Sequence, residues 1–152
     1  MISLEKLRKY PIFSHQEEEI LKEIAKLAEE KTYPEGHQIF FEGEVANKLF
    51  IIEEGSVMIT MNMGKKGEQE VSELSPLRKG EIAGWSSIVE PHIYKLGGIT
   101  DKETQLIAFD GSALRELFDA HPIAGYYFLK KLSKVIGDRL ISKCSEVMSM
   151  YA

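Results

Sequence analysis

The sequence predicts a mainly β fold: an antiparallel β-roll (a double-stranded β-helix of jelly-roll type) with helices before it and a long helix after it. Three observations predict it. Between Thr32 and Asp110 the apolar runs are short and are punctuated by nine glycines, from Gly36 to Gly98. Many short strands joined by glycine turns are the pattern of an antiparallel barrel or jelly roll. On both sides of that stretch, apolar residues recur instead at helical spacing.

Each element can be justified in order. Leu4, Leu7 and Tyr10 suit one short helix before Pro11. Ser14 followed by Glu17 is a capping-box pattern, and Ile20, Leu21, Ile24, Leu27 and Ala28 continue it as an amphipathic helix ending near Lys31. Ile39 to Phe41, Leu49 to Ile52, Val57 to Met61 and Leu106 to Phe109 read as strands, with Asn62 to Glu68 as a hairpin tip. Asp110 can cap a short helix through Leu114 and Leu117. Pro122 suits the first turn of a longer helix, where its missing N–H is not needed. The expected organisation is therefore one domain over 1–152: N-terminal helices over 1–31, the roll over 32–110, C-terminal helices over 111–152, and no DNA-binding domain.

Composition narrows the function classes. A chain of 152 residues with 43% hydrophobic and 28% charged residues has enough apolar material for one core. Its net charge of -5 argues against unaided nucleic-acid binding. Lys130, Lys131, Lys134, Arg139 and Lys143 give the last helix a basic face, read here as its solvent side. No apolar run reaches the roughly 20 residues of a membrane span, and the charged N-terminus is no signal peptide, so a cytoplasmic protein without membrane partners is expected. The single cysteine, Cys144, cannot form an internal disulfide and reads as a small buried hydrophobe.

The segment Ile39-Phe40-Phe41-Glu42-Gly43-Glu44-Val45-Ala46-Asn47-Lys48-Leu49-Phe50-Ile51-Ile52-Glu53-Glu54-Gly55 resembles the first signature of the cyclic-nucleotide-binding domain superfamily, the sensor module of catabolite-activator-like regulators. Gly43, Glu44, Ala46, Leu49 to Ile52 and Gly55 fit the pattern, whereas Phe40 stands where a smaller aliphatic residue is usual. Independently, Gly43 and Gly55 lie where a roll must turn sharply, and positive φ is cheap only for glycine. The resemblance extends over Phe13 to Cys144: Gly80 to Ile88 is similar to the start of the family's phosphate-binding cassette, and the helices after Asp110 and Pro122 are similar to its B and C helices.

The resemblance implies a non-enzymatic ligand-sensing regulatory module, with a cyclic nucleotide or another small anion as ligand and no other cofactor. The cassette departs from the family at its charged contacts. Trp85 follows Gly84 where the family's glutamate would hold a ribose hydroxyl, and His92-Ile93-Tyr94-Lys95 follows Pro91 without the arginine that pairs with the cyclic phosphate. The residues left to hold an anion are Gly84, Trp85, Ser86 and Ser87, through backbone N–H groups and hydroxyls, with His92 and Lys95 supplying positive charge. Weak or altered nucleotide binding is the expectation. The alternative is a degenerate roll that binds no nucleotide and serves protein interaction or dimerisation.

Other chemistry is poorly signalled. A cupin-like metal site would need clustered histidines, but His15, His37, His92 and His121 are scattered, so no metal and no enzyme activity are expected. Leu129, Leu132, Ile136 and Leu140 are spaced like a coiled-coil seam, and a homodimer along the last helix is expected, beside an unidentified effector protein.

Overall fold

The computed structural model describes residues 2–64 and 71–151. Its elements run α1 (Leu4–Arg8), a 3-10 turn (Pro11–Phe13), α2 (Glu18–Lys26), β1 (Ala28–Tyr33), β2 (Gln38–Phe40), β3 (Lys48–Glu54), β4 (Ser56–Asn62), β5 (Val71–Glu73), β6 (Leu77–Arg78), β7 (Ile82–Ala83), a 3-10 turn (Trp85–Ser87), β8 (Gly97–Thr100), β9 (Thr104–Asp110), α3 (Gly111–Ala120) and α4 (Pro122–Ser149). The strands form two antiparallel sheets, ordered β1-β9-β3-β7 and β2-β8-β4-β5, with β6 also paired to β4. This is the predicted roll with flanking helices.

The apolar runs explain the layering. In β3, Leu49 and Ile51 belong to a core shared with the helices, while Phe50 and Ile52 belong to a second core inside the roll. In β9 the same alternation sends Ile107 and Phe109 to the helices and Leu106 and Ala108 inward. Side chains of a strand point to opposite faces with period two, so a strand buried on both faces reads as an unbroken apolar run. The sheet β1-β9-β3-β7 is thus the middle layer between helices and the second sheet. At its corners, Gly43 and Gly55 take φ of +90° and +101°, as the turn reading requires. A Cβ on Gly55 would lie 2.5 Å from the Thr104 hydroxyl, so that corner also needs the space.

The helices close the outer face of the middle sheet. Phe128 of α4 lies 6.1 Å from the ring of Phe13 and 4.6 Å from that of Phe118, and Phe13 stands 5.4 Å from Phe109. Lys6 of α1 adds a polar clamp, 2.7 Å from Glu30 of β1 and 3.0 Å from Glu53 of β3. Burial pushes the Glu53 carboxyl up against the opposing pull of Lys6, whereas the bond to Lys6 holds Glu30 down. The two carboxylates in turn push the Lys6 ammonium up.

Several expectations need correction. The capping box at Ser14 does not form, because the Ser14 hydroxyl donates to the Pro11 carbonyl (2.8 Å) and α2 starts at Glu18 from an N-cap at Glu17. The helix also stops at Lys26 rather than near Lys31. Ala28 to Tyr33 is recruited as a strand by backbone pairing with β9. Cys144 is exposed, not buried. The caps further on hold: Asp110 accepts the Ala113 N–H (2.9 Å), and Pro122 opens α4. The hairpin tip read at 62–68 lies outside the described residues from Lys65 onward; its flanks pair Asn62 with Val71. Among the described residues, no helix is long and apolar enough to cross a membrane.

Candidate functional site

The two segments singled out in the sequence meet in space. Tyr94 N–H donates to the Glu44 carbonyl (2.9 Å), Gly43 N–H to the Tyr94 carbonyl (2.8 Å), and Ala46 N–H to the His92 carbonyl (2.7 Å). The Tyr94 hydroxyl then donates to the Lys48 carbonyl (2.8 Å) and accepts its N–H (3.0 Å). Burial pushes that phenol up. The loop from Gly84 to Tyr94 is therefore zipped to the turn that precedes β3.

The loop begins at a 3-10 turn whose N-cap, Gly84, has φ of +76°. A Cβ there would approach the Lys48 carbonyl to 2.7 Å, so both conformation and space demand glycine. The turn is pinned from behind. Ser87 is fully buried, its hydroxyl donates to the Gly84 carbonyl (2.8 Å), and Arg115 of α3 donates to the Ser87 carbonyl. His92 Nδ1 lies 3.1 Å from the Ser86 carbonyl and must carry the proton that it donates there.

A groove of about 730 Å³ opens between this loop, the roll interior and α4. Of the predicted anion-holding residues, Gly84, Trp85, Ser86 and Lys95 line it, whereas Ser87 and His92 do not. The Ser87 hydroxyl and the His92 Nδ1 are spent inside the loop, so of the predicted set Gly84, Trp85, Ser86 and Lys95 remain at the groove. Deeper in the roll, the Phe40 ring packs on Phe50 (5.9 Å) and Tyr94 (4.8 Å). It also covers Gly98 of β8, where a Cβ would lie 2.5 Å from it. The unusual Phe40 thus fills space that a smaller residue would leave open.

One groove residue was misplaced by the sequence reading. Arg139 does not lie on the solvent side of α4: it lines the groove, and its guanidinium donates to the Ile82 carbonyl of β7. Burial pushes its pKa down, with the field of Glu81 opposing. The spacing by itself says only that Arg139 shares a stripe with Leu132. Arg139 follows Leu132 by seven residues, two helical turns, and Leu132 is buried in the core. By the same period, the four residues assigned to a dimer seam divide. Leu132 is 1% exposed and Ile136 packs on the helical core, whereas Leu129 and Leu140 are exposed. Among the described residues no cluster of His, Cys, Asp or Glu could hold a metal ion; His15 stacks on Tyr127 and His37 on Tyr33.

Comparison with known proteins agrees with this architecture. A protein from Geobacter metallireducens GS-15, described as a cyclic nucleotide-binding protein, is 30% identical, with a TM-score of 0.81 covering 92% of this chain and 99% of that one. The CRP-like cAMP-activated global transcriptional regulator of Mycobacterium tuberculosis is 26% identical over 81% of this chain. The cGMP-dependent protein kinase egl-4 of Caenorhabditis briggsae is 32% identical over 51% of it. The chain spans 54% and 10% of the length of these two curated relatives. The family model described as "Cyclic nucleotide-binding domain" matches residues 30–121, from β1 through the cassette to the start of α4. The chain belongs to the cyclic nucleotide-binding domain family.

Proposed function

We propose that this chain is a non-enzymatic regulatory module that senses a small anionic ligand in the groove beneath α4 and binds cyclic nucleotides weakly or in an altered way. One observation carries this reading: the cassette turn, Lys95 and Arg139 share a groove of about 730 Å³. The missing glutamate and arginine support weakened nucleotide affinity. An absent charge-assisted pair is typically worth about 1.5–3 kcal/mol, or roughly ten- to hundredfold in affinity. The whole described chain acts as one sensing unit in this reading. The exposed Leu140, Ile141, Val147 and Met148 of α4 support its association as a homodimer. The packed Phe40, Phe50 and Tyr94 rings support a second reading, a roll closed to nucleotide that acts through protein contacts.

Calorimetric titration with cyclic AMP and cyclic GMP tests the proposal. The expected result is a dissociation constant well above the micromolar range. Sub-micromolar affinity for cyclic AMP would overturn the altered-pocket reading. Silence with every anion tried would favour the interaction module.

A further inference from the structure

The cations on the groove side of α4 are not equivalent. Lys143 pairs with Glu146 at 3.3 Å, and Lys134, outside the groove, pairs with Asp138 at 2.8 Å. Arg139 makes no ion pair among the described residues; its one hydrogen bond there goes to the Ile82 carbonyl. A guanidinium carries five N–H donors, and one carbonyl leaves most of them unused. The surrounding wall is largely apolar, formed by Phe40, Ile59, Leu74, Leu77, Trp85 and Leu96. Three carboxylates also line the groove: Asp138 and Glu146 are paired with Lys134 and Lys143, and Glu81 acts on Arg139 through its field, beyond ion-pair distance. A partly buried cation among apolar side chains, without a close counter-charge, is a costly arrangement that an incoming anion relieves.

We propose that Arg139 is the anion-pairing residue of this groove, so that α4, and not the loop after Pro91, grips the charged end of an amphipathic anion whose apolar body lies along the roll. This rests on the ligand-sensing reading given above and names the ligand class: one anionic group on a flat or chain-like apolar body. Lys95, exposed at the groove mouth, supplies a weaker second charge. Because Arg139 also bonds to β7 two residues before Gly84, an anion held by it bridges α4 to the cassette.

The test uses a matched pair of probes, 8-anilinonaphthalene-1-sulfonate and the neutral N-phenyl-1-naphthylamine, which share their rings and differ by the sulfonate. Trp85, the only tryptophan, lines the groove and reports occupancy by quenching. In the unaltered chain the sulfonate is expected to bind about tenfold more tightly than the amine, the scale of a charge-assisted hydrogen bond. Arg139→Gln should lower sulfonate affinity about tenfold while leaving the amine within about twofold, and Arg139→Lys should keep part of the preference. Equal affinity of the two probes for the unaltered chain, or an equal loss of both in Arg139→Gln, would overturn the assignment. If cyclic AMP displaces the sulfonate but Arg139→Gln leaves its affinity unchanged, ligand sensing stands and the role of Arg139 falls. If neither probe quenches Trp85, both fall.

Discussion

The two flanks of the roll are built on different principles. On the closed flank, α1, α2, α3 and the first half of α4 bury Leu7, Phe13, Leu21, Ile24, Leu114, Phe128 and Leu132 against β3 and β9. On the open flank, the second half of α4 crosses the groove and is held by polar contacts: Arg139 to the Ile82 carbonyl, and Glu146 accepting from the Ser75 hydroxyl at 3.1 Å. Its remaining large apolar side chains, Leu140, Ile141, Val147 and Met148, are exposed, with Leu140 at the rim of the groove. One continuous helix therefore has a half fixed by dispersion and desolvation and a half held by a few replaceable bonds. Buried packing is costly to disturb, whereas two polar contacts, one part-buried and one exposed, contribute less net stability.

The largest effect should come from the closed flank. Phe128→Ala removes a ring with no exposed surface that stacks on Phe13 and Phe118. Such truncations typically cost about 3–5 kcal/mol. Leu140→Ala, twelve residues further along the same helix, should stay within about 0.5 kcal/mol, the range of surface substitutions. Denaturant unfolding compares the two, and similar losses would erase the distinction between the flanks.

A middle-sized effect with a definite pH dependence is expected at the polar clamp of the closed flank. Lys6→Met leaves Glu53, buried, and Glu30 without their shared cation. Losing one partner of a buried pair can cost about 3–5 kcal/mol, but Lys6 is 39% exposed, so about 1–2 kcal/mol is expected near neutral pH. The sign follows from the carboxyls. Glu53 is already raised by burial, so its folded form favours the proton, and it opposes folding as pH rises through its raised pKa. Glu30 is lowered by Lys6, and the stability it contributes at neutral pH is lost on acidification. Without Lys6, both carboxyls shift upward, so the deficit of the variant should be larger at pH 8 than at pH 5, where Glu53 can take up a proton. A deficit that grows on acidification instead would show that the clamp is not electrostatic.

The smallest effect on stability should come from Leu140→Glu, yet it should change assembly. Leu140 and Val147, like Ile141 and Met148, are seven residues apart on the exposed face, a spacing suited to a second helix. Sedimentation at tens of micromolar should give a dimer for the unaltered chain and a monomer for the variant, with unfolding unchanged only when the two are compared at a concentration where both are monomers. A monomeric unaltered chain would leave the exposed apolar side chains of the open flank without the partner proposed for them.

How much of this was legible in the sequence can be read from single residues. Leu49 to Ile52 and Leu106 to Phe109 announce strands buried on both faces because no polar residue interrupts them, and Gly43 and Gly55 announce corners because few other residues accept their backbone. Asp110 and Pro122 set helix starts through local hydrogen bonding. These features depend on near neighbours along the chain, so the sequence by itself determined them, together with the family resemblance.

The tertiary structure decided what depends on distant partners. The polar segment Ala28 to Tyr33 is a strand because β9 offers it a full ladder of backbone partners, overriding its helical pattern. Ser14 abandons its capping box for the Pro11 carbonyl. Ser87 and His92 turn their polar atoms into the loop. Leu132 faces the core while Leu140 is exposed, and Arg139 turns from an expected surface charge into one of the cations that line the groove. Helical spacing defines which residues share a stripe, but the sheet and the turn against which the helix lies choose the stripe that is buried. That choice rests on contacts between segments far apart in the chain, and no local pattern encodes it.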